Sequence, residues 1–492
     1  MKSDKGAQAR PQRFVGAVPL DRPSHRIWTQ EQYRRARSLL SRKAIWADLL
    51  HLDRCGEQMR ANPQASKVEI ALMPSLIRQP ALHSMTRDGD LIRAAMLRLI
   101  EVFRRDYQRR RLEKSLFRAF LPYSRWWALV AQERRRLPAI QFMRYDVHYD
   151  EKRGRGRFLE TNSDYPGGFL QCALVRQAWM KTALADGMLQ RLQTVSYSSD
   201  RPDGFLHFLA GRARRLAGGG QRPAFAICND QPDQRNEVLL LKRLFEGMMR
   251  RGGFQDVDFL LCRMEEVECR GGGEVRVRGR RVDLIHNELE FLDVDPENPA
   301  IAGWLAASRS PHCDFLNALG ACYLTQTKRI AAVLADPAIQ HELGLSGAQK
   351  RAVKRRFPPT RTLGSRDLQR HPRHWLRGIP ARDLVLKPDA LGMGEGVVVG
   401  RNCSPRELRR QAGRILRQNG IVQRFVPMPR RFGFQLQGEP QPIVENYGFE
   451  LFFWGSQFAG PVSRSSPQGI INVSKGGKES PVLVVAAPHI LT

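Results

Sequence analysis

The stretch DLVLKPDALGMGEGVVVG (383–400) decides the fold that this sequence predicts. An apolar run at 384–386 leads through Lys387 into a loop with three alternating glycines, and a second apolar run follows at 397–399. The pattern predicts a strand, a glycine-rich loop and a second strand. Alternating glycines let the backbone approach a ligand and point N–H groups at an anion such as phosphate. Lys387 adds a positive charge that suits phosphate binding.

This loop is neither of the two common nucleotide-binding loops. A P-loop places its lysine after the glycines and continues into a helix, whereas here Lys387 precedes the glycines and a strand follows. The dinucleotide fingerprint also continues into a helix. A plain structural β-turn stays open as an alternative for the stretch by itself, so its function depends on the rest of the chain.

A second informative stretch is QFMRYDVHYDEKRGRGRFLETNSDYPGG, from residue 141 to 168. It predicts a β-hairpin with strands at 141–149 and 157–162 and a turn centred near Gly154. A helix from Leu170 to about Leu189 is predicted to follow.

Polar side chains converge on one face of this predicted hairpin. Glu160 and Asn162 are two residues apart, so both point to the same face of their strand. With the turn near Gly154, Asp146 is expected opposite Asn162 and on that same face. Two carboxylates and an amide oxygen suit a hard cation such as magnesium. His148 shares the face and is interpreted as a bystander, and a solvent-facing polar strand side is the alternative.

Patterning along the chain predicts four regions, at 1–134, 135–199, 200–299 and 300–492. The first is a basic tail followed by helices, and the second contains the hairpin and the helix after it. The third predicts a Rossmann-like α/β subdomain without the G-x-G-x-x-G turn, so no dinucleotide is assigned to it. The fourth contains the glycine-rich loop.

The predicted strands of the third region end in polar residues. Asn229 and Asp230 follow one strand, and His286, Asn287 and Glu288 end another. These are candidate positions for an acceptor substrate, with loop residues of no specific role as the favoured alternative.

The composition limits the class of partner. The chain has 492 residues and a formal net charge of +31, from 80 basic and 49 acidic residues. Only 14 of the 80 basic residues are lysine, and the arginine excess is spread over the whole chain. We therefore expect anionic substrates rather than nucleic acid.

Other features bear on location and metal chemistry. No apolar run approaches the ~18–20 residues of a membrane span. The basic N-terminus lacks the hydrophobic segment of a secretory signal. The eight cysteines form no C-x-x-C pair, so no zinc site is indicated. We expect a cytoplasmic protein without a membrane partner.

Several short motifs, taken in order along the chain, resemble the ATP-grasp superfamily. They are Lys328, PPT (358–360), VLKP (385–388) with the glycine loop, VQRFV (422–426), GPVSR (460–464) and NVSKGG (472–477). More narrowly, the chain is similar to the circularly permuted ATP-grasp proteins related to glutathionylspermidine synthase, in which the metal-binding strands precede the glycine loop. The segment RYD…LETN lies where that group carries an arginine and its magnesium ligands. The resemblance covers roughly 140–490.

The resemblance implies an ATP site around the glycine loop. Lys328 and Lys387 would bind ATP phosphates, and Gln423 would meet the adenine, although many ATP-grasp proteins have an acid at that position. The amides that would cover the β- and γ-phosphates are those of Gly392, Met393, Gly394, Glu395 and Gly396. The backbone that would also meet the adenine is that of Arg424, Phe425 and Val426.

The resemblance also implies a metal site and a site of phosphoryl transfer. Asp146, Glu160 and Asn162 would hold Mg²⁺. Arg144 or Arg464 would face the transferred phosphoryl group. The cysteine-amidase half of the bifunctional relatives has no counterpart in this sequence, so neither glutathione nor spermidine is implied as a substrate.

The sequence thus predicts an α+β or α/β protein: a circularly permuted ATP-grasp fold with a Rossmann-like pre-ATP-grasp α/β subdomain and an N-terminal helical region. The predicted activity is that of an ATP- and Mg²⁺-dependent ligase. It would join a small-molecule or peptide carboxylate to an amine through an acyl phosphate, with release of ADP. Two alternatives stay open: a non-catalytic, regulatory ATP-binding protein on the same fold, and a basic nucleic-acid-binding protein.

Overall fold

The structure, a computed structural model, describes most of the chain. The described residues are 42–65, 67–150, 153–164, 166–189, 197, 200–218, 221–291, 294–376, 378–392, 394–437, 439–468, 471 and 476–485. Within these ranges, no helix combines the length and the apolar character that a membrane crossing requires.

A six-stranded antiparallel sheet forms the centre of the fold and confirms the predicted hairpin. Five strands lie side by side in the order Lys478–Ser480, Gln457–Ser466, Glu439–Trp454, Phe142–Asp150 and Arg155–Asn162. The sixth strand, Arg430–Gln437, pairs with the first half of Glu439–Trp454. The hairpin therefore shares one sheet with strands from the C-terminal part of the chain, between residues 430 and 480.

Side chains along the strand Glu439–Trp454 alternate between the two faces of the central sheet. Phe449, Leu451 and Phe453 are buried in the main hydrophobic core, where Tyr145 of the hairpin also packs. Glu450 lies between them and therefore points to the opposite face. One face of the sheet is thus apolar. The other carries charged residues around Glu450, next to buried Phe452, which belongs to a second core.

The glycine-rich stretch forms the predicted strand, loop and strand. Leu384–Lys387 pairs antiparallel with Val398–Val399 in a four-stranded sheet. The other two strands are Thr360–Thr362 and Ile421–Arg424. This sheet has a small core of its own beneath the helix Pro405–Arg417, which packs Leu408, Ala412 and Ile415 onto it.

The third region forms a parallel sheet, as predicted for a Rossmann-like unit. Its strands lie in the order Asp314–Leu316, Leu284–Asn287, Ala224–Cys228 and Asp258–Cys262. The first of these lies beyond residue 299, outside the region predicted to form this unit. Three residues between helices are too short for a recognisable strand period, which explains why the sequence pattern does not reveal it.

Helices surround these sheets. The α-helices are Arg42–Gln58, Gln79–Gln108, Ser115–Ala119, Trp127–Gln132, Phe169–Trp179, Ala183–Leu189, Gly204–Leu216, Asn236–Arg250, Ala302–Ala307, Ile330–Ala335, Pro337–Glu342, Gly347–Arg356, Ser365–Leu368 and Pro405–Arg417. Two small sheets complete the fold: Ser75–Arg78 with Val482–Val485, and Val267–Cys269 with Val275–Val277 and Arg280–Arg281.

The N-terminal helical region packs against the apolar face of the central sheet. The Tyr145 hydroxyl of the hairpin donates to the carbonyl of Gly89 at 2.7 Å. In the same helix, buried Asp88 accepts from the guanidinium groups of Arg355 and Arg356 at 2.8 and 2.7 Å. These buried polar contacts fix the helical layer against the back of the sheet.

Candidate active site on the central sheet

The hairpin brings its polar residues to one face of the central sheet, but in a different register from the one predicted. Asp146 pairs with Glu160, and Arg144 pairs with Asn162. The prediction that Asp146 lies opposite Asn162 is therefore wrong. Asp150 pairs with Arg155, three residues from the partner that a turn centred on Gly154 would give, and the one-residue β-bulge after Asp146 reduces this offset to two. The shift is two residues, and side chains alternate with period two, so the same side chains still share one face. Asn162 Nδ2 donates to Asp146 Oδ1 at 3.1 Å.

Glu450 adds a third carboxylate to this face. It pairs in register with Asp146, which in turn pairs with Glu160, so three carboxylates form a row across three strands. Arg144 donates to both oxygens of Asp146, at 2.7 and 3.2 Å, and lies 3.5 Å from Glu450. Arg464 lies 2.9 Å from the other oxygen of Glu450. Two arginines therefore share one end of the row.

Two lysines occupy the other end of the row. Lys328 Nζ lies 3.9 Å from Glu160 Oε2 and also donates to the carbonyl of Leu391 at the base of the glycine loop. Lys387 is buried, and its Nζ donates to the carbonyl of Leu159 at 3.3 Å. The predicted phosphate-binding lysines thus lie next to a predicted metal ligand, although they come from distant parts of the chain.

These neighbours move the pKa values of two adjacent carboxylates in opposite directions. Burial raises the pKa of Asp146 to about 7, and the neighbouring carboxylates add to this shift while the adjacent guanidinium opposes it. Burial acts on Glu160 as well, but Lys328 and Lys387 outweigh it and lower the pKa of Glu160 to about 2. Of these two carboxylates, Glu160 is therefore the one that is held ionised at neutral pH.

The glycine loop has the open backbone that its sequence predicts. Gly394 and Gly396 both have a φ of 69°, a conformation that favours glycine. The amide of Glu395 donates to the carbonyl of Gly392 at 2.9 Å, so one of the predicted phosphate-binding amides is engaged within the loop. Met393, predicted for the same role, lies outside the described residues, as do residues 472–475 of the NVSKGG motif.

The predicted adenine-binding segment is held by other parts of the protein. The Gln423 side chain is buried, and its Nε2 donates to Thr360 Oγ1 at 3.0 Å. The amides of Arg424 and Phe425 donate to backbone carbonyls at 2.8 and 2.7 Å. The carbonyl of Val426 is 3.0 Å from a ring nitrogen of His148. An adenine contact along this segment would therefore use the Val426 amide or the remaining carbonyls.

A buried aspartate fixes the base of the glycine loop. Asp389 accepts hydrogen bonds from the Tyr123 hydroxyl at 2.7 Å, from the Arg329 amide at 2.8 Å and from the Arg329 guanidinium. Tyr123 belongs to the N-terminal helical region, and Arg329 follows Lys328. This clamp joins the loop, the lysine and the helical layer at one point, and the sequence analysis does not anticipate it.

The structure also adds two acidic residues to the predicted site. Glu450 pairs with both arginines, as described above, and Glu479 is buried with its Oε1 3.1 Å from Arg464 Nε. The sequence places both in alternating C-terminal strands. Which of those strands adjoins the hairpin is a long-range property, so the pattern alone does not bring Glu450 beside Asp146.

A turn after the hairpin links the arginines to the parallel sheet. Gly168 has a φ of 96°, and a side chain there would overlap the Arg464 guanidinium. The Gly168 amide donates to the carboxylate of buried Glu237 at 3.0 Å, and the Leu170 amide donates to it at 3.3 Å. Glu237 therefore caps the helix Phe169–Trp179 and fixes the turn.

Stability is expected to depend on pH through Glu237. Burial, together with the charge of Glu288, raises the pKa of Glu237 from 4.5 to about 7. A carboxyl group with a raised pKa stabilises the folded state below its ordinary pKa, and this contribution is lost as the pH rises toward the folded value. Between about pH 5 and 7, the free energy of unfolding should therefore fall less in Glu237→Gln than in the wild type, by roughly 1–3 kcal/mol.

Chemical denaturation across that pH range measures this effect. The matched control is Glu246→Gln, an exposed position on the same helix, which should keep the wild-type profile. A Glu237→Gln protein whose stability falls with pH as steeply as the wild type would contradict the assignment.

Comparison with known proteins supports the fold. No family model and no curated protein matches the sequence. A glutathione synthetase-like effector from Globodera pallida has a similar structure, with a TM-score of 0.58 and 11% identity over 91% of this chain and 98% of that one. This coverage exceeds the segment 140–490, so the shared fold includes much of the N-terminal helical region.

Two further structures are less similar. A putative gamma-glutamylcysteine synthetase from Methylobacillus flagellatus has a TM-score of 0.39 and 10% identity over 80% of this chain and 87% of that one. D-alanyl-alanine synthetase A from Vibrio cholerae has a TM-score of 0.28 and 7% identity over 55% of this chain and 89% of that one. No conclusion is drawn from these two. The first similarity supports the predicted fold class at the level of architecture.

Proposed function

We propose that this protein is an ATP- and Mg²⁺-dependent carboxylate–amine ligase on a circularly permuted ATP-grasp fold. The observation that carries the proposal is the charged face of the central sheet. Its carboxylate row has two lysines and a glycine loop at one end and two arginines at the other. The fold shared with a glutathione synthetase-like protein supports the same reading.

The lysine end of the row suits the phosphates of ATP. Lys328 and Lys387 converge beside Glu160, and Lys328 contacts the base of the glycine loop. Gly394 and Gly396 give the loop a backbone that can come close to an anion. We assign the two lysines and the loop amides to phosphate binding.

The residues present fit a magnesium ion that is shared with phosphates. Among the described residues, no three His, Cys, Asp or Glu side chains are arranged to hold a metal by themselves. Mg²⁺ commonly binds one or two carboxylates together with substrate phosphates and water. Asp146, Glu160 and Asn162 would hold it here, and because Asn162 uses its amide nitrogen toward Asp146, its oxygen is left for the ion. Bound there, the ion would neutralise charge on the phosphates.

The arginine end of the row suits the carboxylate substrate and the phosphoryl group that moves to it. Arg144 and Arg464 are both held by Glu450, which fixes their positions on this face of the sheet. Planar guanidinium groups bind carboxylate and phosphate oxygens in pairs. The pair therefore lies where it can orient the acid toward the phosphates.

The proposed reaction has two steps. An oxygen of the substrate carboxylate attacks the γ-phosphorus of ATP, and the bond from that phosphorus to the bridging oxygen breaks to release ADP. The amine nitrogen of the acceptor then attacks the carbonyl carbon of the acyl phosphate. The carbon–oxygen bond breaks, phosphate leaves with the electron pair, and the nitrogen loses a proton. The protein contributes positioning and charge stabilisation rather than a nucleophile of its own.

The products distinguish this reaction from related ones. We expect ADP and inorganic phosphate, with an amine required for sustained phosphate release, when the protein is supplied with pools of amino acids, peptides and polyamines. Hydroxylamine should trap the activated acid as a hydroxamate. Formation of AMP and pyrophosphate, or of a stable phosphorylated product without any amine, would exclude the ligase proposal.

A further inference from the structure

The parallel sheet contains a topological switch point at its centre. From Ala224–Cys228 the chain continues to the neighbour on one side, Asp258–Cys262, and later returns on the other side as Leu284–Asn287. In open parallel sheets, ligands bind in the crevice at the carboxyl ends of the strands where the order reverses. Asn229 and Glu288 follow the two central strands and mark that position here, where both are buried.

Glu288 is a buried carboxylate that lacks hydrogen-bond donors. Its side chain is 0% exposed, and neither oxygen accepts a hydrogen bond from the part of the chain that the structure describes. His286 Nε2, which also lacks a hydrogen-bond partner there, is 3.7 Å away. The backbone of Glu288 is well fixed, because its amide donates to Cys228 at 2.8 Å and its carbonyl accepts from Asn229 at 2.7 Å. An ionised carboxylate that is buried in this way costs a large amount of free energy unless a cation pairs with it.

Glu237 supplies a second carboxylate and links the crevice to the proposed active site. Its charge interacts with that of Glu288. It also binds the amide of Gly168, and Arg144 donates to the carbonyl of the preceding residue at 2.8 Å. On the other side of Gly168 lies the guanidinium of Arg464. The turn at 167–168 therefore contacts Glu237 as well as both arginines.

We propose that Glu288, with Glu237 beside it, recognises the amine acceptor, and that the acceptor binds there as an ammonium ion. This inference rests on the proposed ligase function and names the class of its second substrate. The N–H groups of an ammonium ion supply the donors that both oxygens of Glu288 lack. The acid is held by the arginines, so acid and amine meet across the turn at 167–168. Before the nitrogen attacks the acyl phosphate, the ammonium ion gives one proton to the carboxylate that holds it, and the nitrogen loses its second proton as the amide forms. Because Glu288 is closed to solvent, the acceptor reaches it when that turn shifts.

The chemistry of the crevice favours an ammonium ion over other ligands. Two carboxylates repel an anionic ligand. A metal ion would need a set of ligands that the described residues do not provide. A neutral amine would leave the charge of Glu288 without a counterion, whereas an ammonium ion neutralises it.

Calorimetric titration without ATP tests the inference directly. The probes are amino acids, dipeptides and diamines, each paired with its N-acetylated, uncharged analogue. At least one cationic probe should bind the wild-type protein, and its acetylated analogue should bind about ten- to a hundred-fold more weakly. Glu288→Gln should weaken binding of the cationic probe by a similar factor, so that the probe and its acetylated analogue bind equally well. Glu290→Gln, an exposed position two residues away, should bind as the wild type does.

Each other outcome overturns the inference. It is wrong if no cationic probe binds the wild-type protein, if the acetylated analogues bind equally well, or if Glu288→Gln keeps the wild-type affinity. Glutamine has nearly the same shape and removes an unpaired buried charge, so the variant should melt no lower than the wild type. The comparison of charged and acetylated probes on the wild type needs no variant at all.

The ligase proposal fails on a different measurement. Hydroxylamine is largely uncharged at neutral pH and does not need a carboxylate to bind it. Hydroxamate formation from the acid and ATP by the wild-type protein therefore tests the ligase function independently of the amine site. Absence of hydroxamate in the wild type contradicts the proposed function, while unselective amine binding contradicts only the role of Glu288.

Discussion

Glu160→Ala is expected to abolish measurable turnover while the protein stays folded. Glu160 is the proposed magnesium ligand that is firmly ionised at neutral pH, because Lys328 and Lys387 overcome the effect of burial and lower its pKa to about 2. Its removal takes away a metal ligand and leaves two neighbouring lysines without their shared counterion. Losing one such charged contact to a transition state costs about a hundred- to a thousand-fold in rate, and losing the metal adds to that.

The measurement is magnesium-stimulated release of ADP, together with nucleotide affinity at several magnesium concentrations. In Glu160→Ala, affinity for ATP should lose its dependence on magnesium. Glu101→Ala provides a control at an exposed glutamate of the N-terminal helical region and should behave as the wild type. If Glu160→Ala retained magnesium-stimulated turnover, the assignment of the metal site would be wrong.

Lys387→Ala should weaken ATP binding by about ten- to a hundred-fold. The lysine is buried at the end of its strand, with its ammonium group directed toward the hairpin. Burial lowers the pKa of Lys387, and nearby Glu160 opposes this shift. A charge-assisted hydrogen bond to phosphate contributes roughly 1.5–3 kcal/mol, which corresponds to that loss of affinity.

Gly394→Val tests the same site through the backbone. The φ of 69° at Gly394 is strained for a β-branched residue, and a side chain would hinder the approach of a phosphate. We expect a loss of affinity comparable to that of Lys387→Ala. Titration with a fluorescent ATP analogue measures both variants, and Lys350→Ala is the exposed lysine control. Unchanged affinity in both would show that this hairpin has only a structural role.

Local sequence patterns predicted the elements that form the candidate site. The alternation of apolar and polar residues and the placement of glycines predicted the hairpin and the strand–loop–strand at 383–400, and the structure has both. The helix Pro405–Arg417 carries a local signal of the same kind, because Ser404 caps its first turn and apolar residues follow at helical spacing. Signals of this kind depend only on neighbours along the chain.

The sequence did not predict which strands and residues from distant parts of the chain pair with each other. Nothing in the hairpin reveals the bulge after Asp146, since a bulge depends on how the sheet must twist around its neighbours. Glu450 joins the carboxylate row only because its strand lies beside the hairpin, and that neighbour is chosen by packing of the whole core. The hydrogen bond from Tyr123 to Asp389 likewise connects residues of two distant regions.

The prediction of which hairpin side chains share a face is confirmed, although the predicted register is wrong. A pairing error of two residues changes which side chains are opposite each other but leaves each on its original side of the sheet. Asp146, Glu160 and Asn162 therefore gather as predicted, while their individual neighbours differ. Sets of residues that share a face are predicted more reliably than individual contacts.

The glycine loop is supported at both ends, like a bridge between two piers. The clamp through Tyr123 and Arg329 holds Asp389 at one end, and the pairing of Val398–Val399 holds the other, with Gly394 between them. Under the proposed function, substitutions at the middle of this span should therefore change the rates at which nucleotide enters and leaves, while Lys328 and Lys387 keep their positions.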